Sequence, residues 1–155
     1  MYAEKLPPHD PEAEEAVVGS LLIDGDSMNR VAPLLKTDDF YRDRNRWCFE
    51  ACLALYHRGD AIDQISVSRE LSLRERLDDV GGPAYLSHLV SIVPTTVHIE
   101  HFAAIVNQTA TMRRLIGAAG EIAAIGYGDT ADVELAMQQA EPHDTATSGR
   151  HLRPG

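Results

Sequence analysis

The sequence has few positive charges and almost no lysine. It contains 14 Lys and Arg residues against 24 Asp and Glu, so its formal net charge is −10, and lysine occurs only at positions 5 and 36. Proteins bind phosphate backbones through clustered Lys and Arg side chains, which this composition does not supply. We therefore expect no direct nucleic-acid binding, and an acidic surface that favours solubility and protein partners.

Long apolar runs and a signal-like N-terminus are also missing. No stretch approaches the roughly 20 apolar residues that a membrane-spanning helix requires. The two cysteines are too few to indicate a disulfide framework. These absences predict a cytoplasmic protein without membrane contact.

Signatures of nucleotide-dependent and hydrolytic enzymes are absent as well. The sequence contains no Gly-x-x-x-x-Gly-Lys-Ser/Thr loop, no dinucleotide-binding fingerprint and no nucleophile elbow. The Gly81-Gly82 pair has no lysine after it and no strand pattern before it, so it does not predict a phosphate cradle. We predict no catalytic residue and no cofactor for this chain.

Two groups of side chains could in principle bind a metal ion. Cys48 and Cys52 lie one helical turn apart, and His98 and His101 flank a glutamate. Both cysteines fall on an apolar helix face, where cysteine behaves as a small hydrophobic residue, and the His-x-x-His spacing is not that of a zinc protease helix. We predict no metal ligands, with a small metal-dependent enzyme using these four residues as an alternative.

The hydrophobic periodicity predicts an all-α fold, a compact bundle of about six helices. Asp10 and Pro11 start a helix that ends near Ile23 and carries Glu12, Glu14 and Glu15 where the helix dipole favours negative charge. A short or kinked helix follows Ser27, and residues 43–57 form an amphipathic helix closed by Gly59. A further helix is predicted after Ser66 as its cap, with Val67, Leu71 and either Leu73 or Leu77 on its buried side. Another is predicted to start at Pro83 and to end before Pro94.

The last helix, residues 96–127, is much longer than the others and carries two apolar rows. The first row is Ile99, Phe102, Ala103, Val106 and Ala110. The second row is Ile105, Met112, Leu115, Ile116, Ala119, Ile122 and Ala123. A helix that packs against a single core needs only one apolar stripe. Two rows therefore indicate either a helix buried at the centre of the domain or a second contact outside the subunit.

The chain divides into four segments by pattern. We expect an extended leader over 1–9, the helical domain over 10–127, a short hairpin return arm over 128–141 and a disordered tail over 142–155. The arm places Val133 and Met137 on one side of its helix.

In order and spacing, these motifs resemble the N-terminal domain of the bacterial replicative DNA helicase of the DnaB type. The resemblance covers residues 6–141. The matching stretches are 10–22 (DPEAEEAVVGSLL), 39–41, 49–51, 62–63, 80–86 (VGGPAYL), 95–96 and 113–116 (RRLI), with Leu55, Gly59, Val67, Leu71, Val106 and Tyr127. Asn45 and Cys48 stand where the family often has His and Ile.

The resemblance implies a role in assembly rather than catalysis. In the family this domain dimerises through the helical hairpin, three dimers form the collar of the hexameric ring, and the collar helps to receive primase; a helicase loader is a further expected partner. ATP and magnesium belong to the RecA-like ATPase domain, which we expect to be missing here because Pro142 ends the arm. An alternative is a free-standing adaptor or inhibitor of a host helicase ring.

We predict an interface on the last helix from the second row. Its members are Ile105, Met112, Leu115, Ile116 and Ile122, and they pair with Val133 and Met137 of the arm or with a second subunit.

Overall fold

The computed structural model describes residues 6–94, 98–128 and 137–139, and the regular structure in these ranges is helical. The predicted all-α fold is confirmed. The α-helices are α1 Pro11–Ile23, α2 Met28–Val31, α3 Asp43–Arg58, α4 Gln64–Leu73, α5 Leu77–Val80, α6 Gly82–Ile92 and α7 Ile99–Tyr127. The chain forms two compact units, Met1–Ala110 and Thr111–Gly155, and α7 contributes residues to both.

Helix α1 begins and ends where the sequence predicts. The Asp10 side chain accepts a hydrogen bond from the Ala13 amide at 3.0 Å, and Pro11 occupies the first turn. The helix is buried on more than one face, because α6 packs closely against it at Gly19. A Cβ atom at Gly19 would lie within 3.0 Å of the Leu89 carbonyl oxygen and of Val93 Cγ2. Only glycine therefore fits the crossing of α1 and α6.

Helix α3 forms the centre of the first unit. Cys48, Phe49 and Cys52 are fully buried on it, and Phe40 stacks on Phe49 with ring centroids 4.6 Å apart. Gly59 ends the helix in the left-handed region, with φ of 77°, as its position in the sequence predicts.

The predicted start of α4 is wrong. Asp63, not Ser66, is the N-cap: its carboxylate accepts the Ser66 amide at 2.8 Å, and the Ser66 hydroxyl oxygen accepts the Asp63 amide at 2.9 Å. The two residues form a reciprocal capping box that starts the helix three residues earlier. On its inner side α4 buries Val67 and Leu71, whereas Leu73 is exposed and Leu77 is half-buried in α5.

Helix α5, which the sequence analysis did not predict, is one turn within the acidic stretch before Gly81. Gly81 ends this turn with φ of 110°, a conformation that L side chains rarely adopt.

A buried carboxylate joins α1 to the start of α3. Glu14 is fully buried, and it accepts hydrogen bonds from the Tyr41 amide at 2.6 Å, the Arg42 amide at 3.3 Å and Asn45 Nδ2 at 3.1 Å. Asn45 Oδ1 in turn accepts the Tyr85 hydroxyl, and burial raises the pKa of Tyr85 above its ordinary value. Glu14 lies in the first turn of α1 as predicted, and its carboxylate also fixes the two residues that precede α3, a role that the sequence did not predict.

The first part of α7 belongs to the core of the first unit. Ile99, Ala103, Val106 and Ala110 are buried, and Phe102 packs partly against the same cluster. Two polar contacts hold this part in place: Arg30 Nε lies 3.1 Å from Glu100 Oε1, and Asn107 Nδ2 donates to the Leu34 carbonyl at 3.2 Å. The first predicted row is therefore internal.

Several predictions fall outside the described residues. They are the first two residues of the predicted last helix, 96 and 97, most of the return arm including Val133, the leader over 1–5 and the tail over 142–155. In the second unit the structure describes α7 up to Tyr127, followed by Gly128 and a helical segment at 137–139. Among all described residues, no helix combines the length and hydropathy needed to cross a bilayer.

Candidate interface on the last helix

The second apolar row of α7 lies on one side of the helix. Met112, Leu115, Ala119 and Ile122 recur at spacings of three and four residues, which is the a/d pattern of a two-helix contact, and Ile116 and Ala123 widen it. These six residues are called the α7 seam below. At 100° per residue they occupy a stripe about 120° wide. Such a stripe suits a second helix packed at a shallow angle.

The seam is largely uncovered in the second unit. Met112, Leu115 and Ile116 are 52%, 42% and 59% exposed, Ala119 and Ala123 are exposed, and Ile122 is half-buried. The remaining predicted interface residue on this helix, Ile105, lies in the first unit and packs partly against its core. The structure thus brings four of the predicted interface residues, Met112, Leu115, Ile116 and Ile122, onto one accessible face, and it assigns Ile105 partly to the interior.

Two predicted interface residues come from the return arm. Met137 is helical and 62% exposed, and Val133 lies outside the described residues. The pairing of the arm with the seam therefore stays a prediction.

The residues of the alternative metal site are not brought together. Cys48 and Cys52 are buried in the core, as predicted, and burial raises the pKa of the Cys48 thiol to about 12. His98 and His101 are exposed at the start of α7. Over residues 6–94, 98–128 and 137–139, no three His, Cys, Asp or Glu side chains form a group that could bind a metal ion.

Sequence reasoning missed a cluster of ion pairs centred on Glu70 of α4. Glu70 is buried and accepts hydrogen bonds from Arg58 Nη2 at 2.8 Å and from Arg74 Nε at 2.7 Å. Arg74 Nη1 also donates to Glu50 Oε1 at 2.8 Å. The hydrogen bonds from Arg58 and then Arg74 lower the pKa of Glu70 to about 2. Only the Glu70–Arg74 spacing of four residues is visible in the sequence, because Arg58 approaches from α3.

These features define a class of protein. The chain has an all-α unit with a continuous core, and the last part of α7 carries an uncovered apolar seam, the kind of surface found at protein interfaces.

The family follows from comparison with known proteins. Residues 6–108 match the family model of the DnaB-like helicase N terminal domain, and the chain belongs to this family. The resemblance stated from the sequence is confirmed.

Two replicative helicases are similar to the chain in sequence. It is 35% identical over 141 residues to the replicative DNA helicase DnaB of Geobacillus stearothermophilus, a match that covers 91% of the chain and 31% of the relative. It is 37% identical over 138 residues to the replicative DNA helicase DnaC of Bacillus subtilis, covering 89% and 30%. The chain thus spans less than a third of these curated relatives.

Two solved structures share the fold. The crystal structure of the N-terminal domain of DnaB helicase from Mycobacterium tuberculosis superposes with a TM-score of 0.84 at 33% identity, covering 91% of the chain and 99% of that domain. A second structure, of a DnaB-like replicative helicase and its interactions with primase, has a TM-score of 0.75 at 20% identity and covers 92% of the chain and 32% of that protein.

Proposed function

We propose that this chain is a non-catalytic assembly and docking domain of a replicative DNA helicase, and that two copies pair through their α7 seams. The exposed seam carries the proposal. Leaving Met112, Leu115 and Ile116 in water is unfavourable, and the first unit already has a core of its own. A second α-helix packed on the seam would remove these side chains from solvent.

The size of the seam supports a part for the arm in the pair. From Met112 to Ala123 the helix rises about 16 Å, and a stripe about 10 Å wide offers on the order of 200 Å². A stable interface buries about 800 Å² on each partner. The apolar side chains of the arm, Val133 and Met137, would extend the contact. Pairs of copies are then the building block of the helicase collar.

Partners beyond the self-pair follow from the relatives. The chain shares its fold with a DnaB-like replicative helicase that interacts with primase, and we propose primase as a partner of this chain, with a helicase loader as a further one. ATP and magnesium would act in an ATPase domain, as expected from the family, in a complete cytoplasmic helicase.

The self-pair is tested by charging the seam. Leu115→Glu combined with Ile122→Glu should give a folded monomer, because two carboxylates would have to be buried beside each other in the pair. Light scattering reports the mass, and far-UV circular dichroism reports the helix content.

A matched variant separates the seam from mere added charge. Gly117→Glu combined with Ala124→Glu adds the same two charges to the far side of the same helix, where both residues are exposed. This control should assemble as wild type does. If the seam variant keeps the wild-type mass, or if both double variants dissociate, the copies do not pair through the seam.

The primase contact has its own test. Immobilised wild-type chain should retain a bacterial primase, and the monomeric seam variant shows whether the pair is required. Absence of retention by the wild-type chain, in both isolated form and as part of a full-length helicase, would contradict primase as a partner.

A further inference from the structure

A second uncovered apolar surface lies in the first unit, on the outer side of α4. Ile65 and Leu73 are each 74% exposed, more than any other large aliphatic side chain that the structure describes. Helix α4 already buries Val67 and Leu71 on its inner side. The outer pair therefore adds nothing to the core and leaves this helix apolar on two faces.

Beside Ile65 lies a groove between α4 and α6. It has a volume of about 450 Å³ and is lined by Ile65, Arg69, Ser72, Leu77, Pro83 and Leu86 among others. Leu86 is buried and Leu77 half-buried, so the floor is apolar. Serines on the walls provide a neutral polar rim. An apolar floor with a polar rim is the form of a surface that receives a helix.

One cation lies between the two exposed aliphatic residues. Arg69 is four residues from Ile65 and four from Leu73, and it is exposed. Its neighbours Arg58 and Arg74 are held by Glu70, and Arg76 contacts Asp79 at 3.5 Å. No carboxylate pairs with Arg69 within the part of the chain that the structure describes, although the whole chain carries ten more negative than positive charges. The available charge at this site is positive.

We propose that the α4–α6 groove docks an acidic amphipathic helix from a separate partner protein. Ile65 and Leu73 are about 12 Å apart along α4, the length of two turns of an opposing helix. The partner would place aliphatic side chains at positions i, i+4 and i+7 over Ile65, the groove floor and Leu73, with an Asp or Glu against Arg69. A charge-assisted contact from Arg69 then fixes the orientation of the helix.

A separate protein is favoured over a second copy of this chain. The segment 129–141 is itself acidic and partly apolar, but the proposed self-pair already uses its Val133 and Met137. The two occupants make different predictions, and the experiment distinguishes them.

The test uses the whole chain as bait for a displayed library of helical peptides, together with a synthetic peptide of residues 129–141. We expect enrichment of peptides with the aliphatic spacing above and at least one Asp or Glu. Their dissociation constants should rise at least about tenfold for the chain carrying Ile65→Ser and Leu73→Ser. The control Ile23→Ser with Leu34→Ser removes two other exposed aliphatic side chains and should bind as wild type.

A charge reversal makes the test specific. Arg69→Glu should lose the acidic peptides and bind versions in which Lys replaces the carboxylate. Enrichment without this pattern, equal binding by the Ile65→Ser/Leu73→Ser variant, or no reversal with Arg69→Glu would overturn the proposal. Preference for the 129–141 peptide over the library would also overturn it, because the occupant would then be a second copy. The seam variants do not touch this groove, so its failure and that of the proposed function are separable.

Discussion

The two parts of α7 carry similar apolar patterns and differ in burial. Within the described structure, Ile99, Ala103, Val106 and Ala110 are buried in the first unit, whereas residues 111–127 are all exposed or half-buried. The same helical spacing therefore accompanies a core in one part and an uncovered seam in the other. Periodicity shows that an apolar face exists, and tertiary packing decides whether the chain covers it.

Because the two parts differ in burial, changes in the first unit should alter folding, and changes in the second part of α7 should alter assembly.

The largest effect is expected from adding one methyl group at Gly19. Gly19→Ala should destabilise the protein by about 3 kcal/mol, because the new Cβ meets the Leu89 carbonyl, which can move only if α6 moves. Urea unfolding measures the change. Gly117→Ala is the matched variant in the second part of α7: nothing lies within 4 Å of its added Cβ, so it should stabilise the helix by about 0.5–1 kcal/mol. Equal effects at both glycines would remove the distinction between the two parts.

Removal of the buried carboxylate should have the next largest effect. Glu14→Ala leaves the Tyr41 and Arg42 amides and Asn45 Nδ2 without their acceptor, at a cost of about 2–3 kcal/mol. Glu12→Ala is the control on the same helix: Glu12 is exposed in the first turn, and its loss should cost less than about 1 kcal/mol. Thermal unfolding of the two variants, at a concentration where wild type is fully assembled, gives the comparison.

The contrast between Glu12 and Glu14 shows what the sequence could and could not predict. Caps and helix ends at Asp10, Pro11 and Gly59 were predictable because their physical causes are local. The burial of Glu14 was not, because its partners Tyr41 and Arg42 lie 27 and 28 residues away. One local prediction failed, the start of α4. Asp63 and Ser66 are both suited to cap a helix, and only their reciprocal hydrogen bonds show that Asp63 is the N-cap.

The candidate interface was predictable to the same degree. The spacing of apolar residues in the sequence predicts both rows of α7. Only the structure shows that the first row is buried and that Ile105 packs partly against the same core. The α4–α6 groove was not predictable, because its walls come from helices that only the fold brings together. Leu73 and Leu77 could each have faced the core; Leu73 ends α4 exposed, whereas Leu77 lies in α5 and packs partly against the core.

A third prediction compares one side chain from each part of α7. Val106→Ala should cost about 2 kcal/mol, because Val106 is fully buried and its loss leaves a cavity. Ile116→Ala should change the unfolding free energy by less than about 0.5 kcal/mol. Both Val106→Ala and Ile116→Ala are measured in the Leu115→Glu/Ile122→Glu background, where assembly does not contribute to stability. In the wild-type background Ile116→Ala should weaken self-association, which sedimentation equilibrium measures. A large stability loss from Ile116→Ala in the monomer would mean that the chain itself covers this residue.

The smallest effect is a pH dependence confined to the first unit. The pKa of Glu70 is lowered to about 2 in the folded protein by Arg58 and Arg74, against about 4.3 for an unperturbed glutamate. Its contribution to stability is therefore complete above the unfolded pKa, and it is lost as the pH falls from there toward 2. The loss should be about 1–2 kcal/mol, because Arg58 and Arg74 are 50% and 35% exposed and water screens both pairs.

Glu70→Gln isolates this contribution from the other carboxylates: the difference in unfolding free energy between wild type and Glu70→Gln should shrink between pH 6 and pH 3. The seam side chains Leu115 and Ile122 do not titrate, so the same shrinkage should appear in the monomeric seam variant. A pH dependence that vanished with the seam would assign it to assembly rather than to Glu70.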